Sequence, residues 1–177
     1  MNADYKKSSD PRLSASIRGY KDYLALAIAT CGVGYAPVAP GTFGSLVGVA
    51  IFWALTRVAG GSVLVVAAIL VFIFAGIWAG TRTEALAGRK DPGKIVVDEV
   101  AGQLIALFPL LFVKWTITTV MLSFILFRFF DIVKPYPANK FQEMEGGVGV
   151  MCDDLVAGAY AAIIIVIVWG ALAYGTT

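Results

Sequence analysis

The chain has no histidine among its 177 residues. That absence excludes imidazole metal ligands, Ser-His triads and phosphohistidine intermediates together. Charge is scarce as well: charged residues make up 15% of the chain and hydrophobic residues 59%, with a mean hydropathy of +0.80. Such a chain cannot clothe an ordinary soluble surface, and several uncharged runs approach bilayer length. An integral membrane protein is expected. The two cysteines, Cys31 and Cys152, form no C-x-x-C pair and lie beside apolar runs. Buried, reduced thiols are expected there, with no disulfide framework and no zinc site. The net charge of +2 is small and the basic residues are dispersed, which excludes a nucleic-acid-binding function. No small-residue cleavage pattern follows the charged N-terminus, so no cleaved signal peptide is expected.

The fold class expected is all-α, a polytopic membrane bundle of about five spans. Residues 1–22 read as a polar, amphipathic extension and residues 23–177 as the membrane-embedded domain. Leu13, Ile17, Tyr20 and Leu24 recur at helical spacing beside Arg18 and Lys21, which fits a short helix at the cytoplasmic interface. The apolar stretch 24–36 is too short to span and meets Gly32, Gly34, Pro37 and Pro40, so it is expected to be re-entrant or interfacial. Spans are predicted over 43–58, with a small-residue face at Gly44 and Gly48, and over 62–81, which carries no charge in 20 residues. A third runs from Lys94 to about Val113, followed by a tight turn at Lys114 and Trp115. The fourth runs from Trp115 to near Val133, because Pro135 disfavours a helical Lys134. The last is expected to begin at Asp153-Asp154, after a flexible Gly146-Gly147-Val-Gly149, and to reach about Tyr174.

Loops on one side of this bundle hold five, four and three Lys/Arg (residues 1–23, 81–94 and 128–153), against Arg57 and Lys114 alone on the other. The positive-inside rule puts the N-terminus in the cytoplasm. The loop near residue 40, Asp98-Glu99, Asp131 and Asp153-Asp154 then share the cytoplasmic face.

Asp98, Glu99, Asp153 and Asp154 have an ordinary alternative as acids at helix N-termini, and Asp131 as the ion-pair partner of Arg128. Five together, however, repel one another and call for a counter-charge. Asp98, Glu99, Asp131, Asp153 and Asp154 are therefore candidate ligands of Mg²⁺, a hard cation that takes oxygen ligands and keeps water, which supplies a metal-activated water without histidine. Asp98, Glu99, Asp131 and Asp154 are the candidate catalytic acids. Arg128 and Lys134 are candidates for phosphate oxygens, although Arg128 and Asp131 also have the spacing of a helical ion pair and Lys134 could snorkel to headgroups. In the loop 34–45, Thr42 and Ser45 with the helix-start N–H groups suit an anion, with Thr42 as a plain N-cap the alternative. The run Gly88-Arg-Lys-Asp-Pro-Gly93-Lys94-Ile95 has P-loop spacing but puts Ile95 where a hydroxyl belongs, so it is rejected.

Taken in order, Pro37-x-x-Pro40-Gly-Thr-x-Gly-Ser45, Val97-Asp-Glu-x-x-Gly102, Phe127-Arg-x-x-Asp131-x-x-Lys-Pro-x-Pro137 and Gly146-Gly-x-Gly-x-Met-x-Asp-Asp154-x-Val-Ala-Gly158 closely resemble the phosphatidylglycerophosphatase A family. The resemblance runs from about Gly32 through the last span. It implies a Mg²⁺-dependent phosphatase of the bacterial inner membrane that hydrolyses phosphatidylglycerophosphate to phosphatidylglycerol, with the site facing the cytoplasm and a membrane phospholipid as substrate. A carboxylate nucleophile stays open beside water. The rival from another class is a small cation transporter or channel subunit using the same acids, which would want them nearer the bilayer midplane. A CDP-dependent phosphotransferase lacks its spaced acids, and a purely structural subunit leaves five acids unexplained.

Overall fold

The computed structural model describes residues 19–113, 116–141 and 144–174, and every regular element in them is helical. The expected amphipathic turns at Leu13 and Ile17 and the turn at Lys114-Trp115 lie outside the described residues. Helix α1 is Tyr20–Thr30, α2 Pro40–Leu55, α3 Gly61–Ala87 and α4 Val97–Leu107, which a 3₁₀ turn extends over Phe108–Leu111. Then come α5, Ile117–Val133, the short α6, Ala138–Phe141, and α7, Gly146–Tyr174.

Local chemistry sets the ends. Thr116 and Thr119 form a reciprocal capping box at the start of α5. That helix stops at Val133, as Pro135 requires, and Lys134 leaves it in the left-handed region at φ 46°. Helix α2 starts three residues before the predicted Phe43, because Pro40 at its first position is preset for helical φ. Thr42 is thus inside the first turn, and Ala39 holds the cap position. The apolar stretch 24–36 divides: it is helical to Thr30 and continues as turns towards Pro40.

Two helices are long and apolar enough to cross a membrane, Gly61–Ala87 and Gly146–Leu172, and Pro40–Leu55 is a shorter apolar helix. Their outer faces carry exposed Val71, Phe74, Ile167 and Leu172. A helix buried in a soluble core would cover such side chains, so this surface fits a lipid environment. The protein is membrane-associated.

Helix α4 is the centre of the bundle. With 11 residues it is about 16 Å long. Val97, Val100, Ala101, Leu104, Ala106 and Leu107 on it are fully buried, and it packs against α2, α3, α5 and α7. Its entry is tied down by the Val96 N–H donating to the Ala29 carbonyl at 2.8 Å. The predicted single run from Lys94 to Val113 is broken because Pro109 cannot continue the helical ladder.

Two glycines set the spacing between α4 and α7. A Cβ on Gly158 of α7 would collide with the Gly102 carbonyl oxygen of α4, and a Cβ on Gly102 would sit 2.6 Å from the Asp154 carbonyl oxygen. The two backbones touch. Gly147 likewise lies against the Ile77 carbonyl of α3 and donates its N–H to Thr81 Oγ1 at 2.8 Å. The glycine run 146–149, read from sequence as flexible, is the first turn of α7.

Candidate active site

Helix α4 carries Asp98 and Glu99 in its first turn, and α7 carries Asp154 about two turns from its start. Gly102 is one turn beyond Asp98, and Gly158 one turn beyond Asp154. The close approach of those glycines brings the acids together. One carboxylate oxygen from each of Asp98, Glu99 and Asp154 lies within 4.8 Å of the others. Asp98 and Asp154 are buried, and Glu99 is half-buried with Oε2 lacking any hydrogen-bond partner. The N-cap residue of α4, Val96, supplies no side-chain cap, Asp98 accepts the Glu99 N–H at 3.1 Å in the first turn, and Asp153-Asp154 lie well inside α7, away from its N-terminus.

The other two acids face cations. Asp131 Oδ2 is 2.7 Å from Arg128 Nη1, with both side chains mostly shielded from solvent. Asp153 Oδ2 accepts from the Lys134 ammonium. Burial works against the charged Lys134. The Asp153 hydrogen bond and the charges of Asp153, Asp154 and Asp131 outweigh it and raise its pKa above the usual lysine value, so the ammonium persists. Asp131 also borders Asp154. The structure thus gathers Asp98, Glu99 and Asp154 into one group of oxygens, with the pairs Arg128/Asp131 and Lys134/Asp153 along its margin.

Helix α2 closes the near side at Gly41, where a Cβ would overlap Glu99 Oε1 and stand 3.1 Å from Arg128 Nη1. The start of α2, with Thr42 partly exposed, therefore adjoins both the acids and the guanidinium. Ser45 is fully buried and donates its hydroxyl proton to the Gly41 carbonyl at 3.0 Å, within its own helix. Gly41→Ala is expected to displace Glu99 and lower turnover about tenfold or more, because small displacements of reacting groups are costly. Steady-state phosphate release by the purified variant checks this.

Sequence reasoning missed three features. Asp91, met in the sequence within the rejected P-loop-like run, lies near enough to Asp98 and Asp153 for its charge to act on both. Its positive φ of 42° matches those of Cys31, Ala39 and Lys134. Gln103, one turn beyond Glu99, is fully buried with neither amide atom hydrogen-bonded. Gly158 appeared in a motif, but its role as a spacer needed its contact.

Three close, poorly hydrated carboxylates need a counter-ion, and an all-oxygen donor set suits a hard divalent cation. The residues therefore fit a bound Mg²⁺.

A sequence profile described as Phosphatidylglycerophosphatase A matches residues 26–169, which include every one of these site residues. The chain belongs to the phosphatidylglycerophosphatase A family. It is accordingly a phosphatase enzyme. A Haemophilus influenzae protein named phosphatidylglycerophosphatase A is 38% identical over 135 residues, covering 76% of this chain and 81% of the relative. Its Escherichia coli namesake is 34% identical over 132 residues, covering 74% of each. A Bacteroides thetaiotaomicron protein carrying the provisional name phosphatidylinositol-3-phosphatase is 43% identical over 143 residues, 77% of this chain and 87% of the relative. No solved structure matches the chain.

Proposed function

We propose that the chain is a Mg²⁺-dependent lipid phosphatase that hydrolyses phosphatidylglycerophosphate to phosphatidylglycerol and phosphate in phospholipid biosynthesis. The observation carrying this reading is the group of Asp98, Glu99 and Asp154 oxygens, set beside Arg128 in a membrane-associated helical protein. The family supplies the reaction class, and the two namesakes the substrate. Membership of a phosphatase family leaves the ion-path reading without support.

Asp98, Glu99 and Asp154 would hold the cation. Mg²⁺ there supplies Lewis-acid neutralisation of phosphate charge and activation of water. Arg128 keeps Asp131 on one nitrogen and has further N–H groups for phosphate oxygens. Lys134 is oriented by Asp153 and kept charged, and its remaining protons serve the same anion. Pro40 has no N–H, and Thr42 and Phe43 donate theirs to the Ala39 carbonyl, so the Gly41 N–H and the Thr42 hydroxyl complete the cradle, and Ser45 braces that turn from within. Uncatalysed phosphate-monoester hydrolysis is among the slowest reactions known, which calls for this concentration of preorganised charge.

In this reading α2, α3, α4 with its 3₁₀ turn, α5 and α7 are five membrane segments of a domain over residues 23–177. The residues that precede α1 are assigned to the cytoplasmic side of the bacterial inner membrane. The Lys/Arg bias supports that orientation, which sets the acids at the cytoplasmic interface.

The Bacteroides relative favours a second reading, in which the headgroup is a phosphoinositide. Purified protein in nanodiscs, given phosphatidylglycerophosphate, phosphatidic acid or phosphatidylinositol 3-phosphate, separates them. The expected result is Mg²⁺-dependent phosphate release from phosphatidylglycerophosphate, stopped by chelator and restored by added Mg²⁺. Release from the inositol lipid alone would establish the second reading, and release from neither by Mg²⁺-loaded protein would sink both.

A further inference from the structure

Helices α2 and α5 pack closely on α4 but only lightly on each other. The gap is a groove of about 450 Å³, lined by Leu46, Val49, Phe52 and Trp53 of α2 and by Ile117 and Val120 of α5. That volume lies in the range of small-ligand sites, roughly 300–1,000 Å³. Phe52 is the floor, 2% exposed, and Val49 and Val120 pack on the same core. Leu46, Trp53 and Ile117 form open edges, 48, 54 and 77% exposed.

The two stripes of residues that line the groove lead on towards the site. On α2, Thr42, Leu46, Val49 and Trp53 follow one another at helical spacing along one face, and on α5 Ile117, Val120, Phe124 and Arg128 do the same. The helices run antiparallel: Gly41 adjoins Arg128 at one end, and Phe52 and Trp53 meet Ile117 and Val120 at the other. From Thr42 to Trp53, and from Arg128 back to Ile117, each stripe advances 11 residues, about 16 Å. The hydrocarbon of one leaflet is about 15 Å deep. A phosphate at the Thr42/Arg128 end and an alkyl chain along the stripes therefore fit one molecule.

We propose that this groove is an acyl-chain site, holding one fatty chain of the phospholipid substrate and presenting its terminal phosphate to Arg128 and the acids. The proposal rests on the lipid phosphatase reading and adds where the lipid lies. A second apolar groove, of about 510 Å³ along Phe74, Ile77, Trp78 and Arg82 of α3, has no such continuity. Its cationic end is bound to Asp22, both Arg82 Nε and Nη2 lying 2.7 Å from Asp22 Oδ1.

The test uses the unmodified full chain in nanodiscs with phosphatidylglycerophosphate carrying a mid-chain diazirine. After irradiation, labels mapped by peptide mass spectrometry are expected to concentrate on residues 46–53 and 117–124 and to fall when unlabelled substrate is in excess. Labels spread evenly over the outer faces of α3 and α7, or indifferent to competitor, would overturn the proposal. Ala50→Trp, which fills the groove from an exposed position, is expected to lower kcat/KM for long-chain substrate about tenfold or more and to abolish preference over a dihexanoyl analogue. An unchanged preference would also overturn it. Focused, competable labelling by a protein that releases no phosphate would defeat the phosphatase reading and leave the lipid site standing.

Discussion

Asp154→Asn is expected to lower Mg²⁺-dependent phosphate release by more than about a hundredfold, the scale set by loss of one preorganised charge-stabilising group, while leaving the fold intact. Asp154 stands with Asp98 and Glu99 within 4.8 Å. In metal-free protein the three carboxylates repel, so removing one charge should leave the Tm in chelator unchanged or higher. Added Mg²⁺ is expected to bind the folded wild type and so to raise its Tm by mass action. The variant should lose most of that rise. Asp98→Asn and Glu99→Gln should behave alike, because each removes one member of the same group. Paired thermal melts and turnover assays, with and without Mg²⁺, decide the matter. Near-normal turnover in all three variants would remove the proposed site.

The second large effect concerns a residue with no chemistry of its own. Gly158→Ala adds a methyl group that would strike the Gly102 carbonyl oxygen and lie 3.0 Å from its carbon. Helix α7 must then move away from α4, at a cost of about 1–3 kcal/mol, typical of overpacking. Because Asp154 is one turn from Gly158 and Asp98 one turn from Gly102, the same movement spreads the carboxylates. Misplacement of about 1 Å can cost about a hundredfold in rate, so turnover is expected to fall by roughly ten- to a hundredfold. Gly170→Ala is the internal control. It lies on the same helix with nothing within 4 Å of an added Cβ, and there alanine should be neutral or stabilise by up to about 1 kcal/mol. Equal loss of activity in the two variants would show that the Gly102/Gly158 contact does not set the site.

Much of this arrangement was legible in the sequence. Pro135 correctly ends α5 at Val133, Gly44 and Gly48 supply a close-packing face against Val96 and Gln103, and Asp98-Glu99 open α4. Other parts depended on contacts that no periodicity encodes. The run from Lys94 to Val113 looks continuous by hydropathy, yet Pro109 shortens the helix to Val97–Leu107. The Arg128–Asp131 pair follows from its i,i+3 spacing, whereas Lys134 and Asp153 are 19 residues apart and only packing turns them towards each other. Asp91 reaches the site through a backbone turn whose hand cannot be read from Asp-Pro-Gly. The glycines at 146–149 misled most, because glycine serves looseness and closeness equally, and here a neighbouring carbonyl occupies the space of the missing side chain.

That last contact bears on how a substrate would come and go. Gly147 is pressed onto Ile77 of α3, and Gly149 onto the Met144 carbonyl of the turn before α7, so this described stretch of backbone beside the acids is held in place by its contacts. For a lipid phosphatase, exchange of product for fresh substrate would then proceed by two-dimensional diffusion within the leaflet. Turnover in bilayers should accordingly follow lipid fluidity and the mole fraction of substrate, and respond little to the viscosity of the surrounding water.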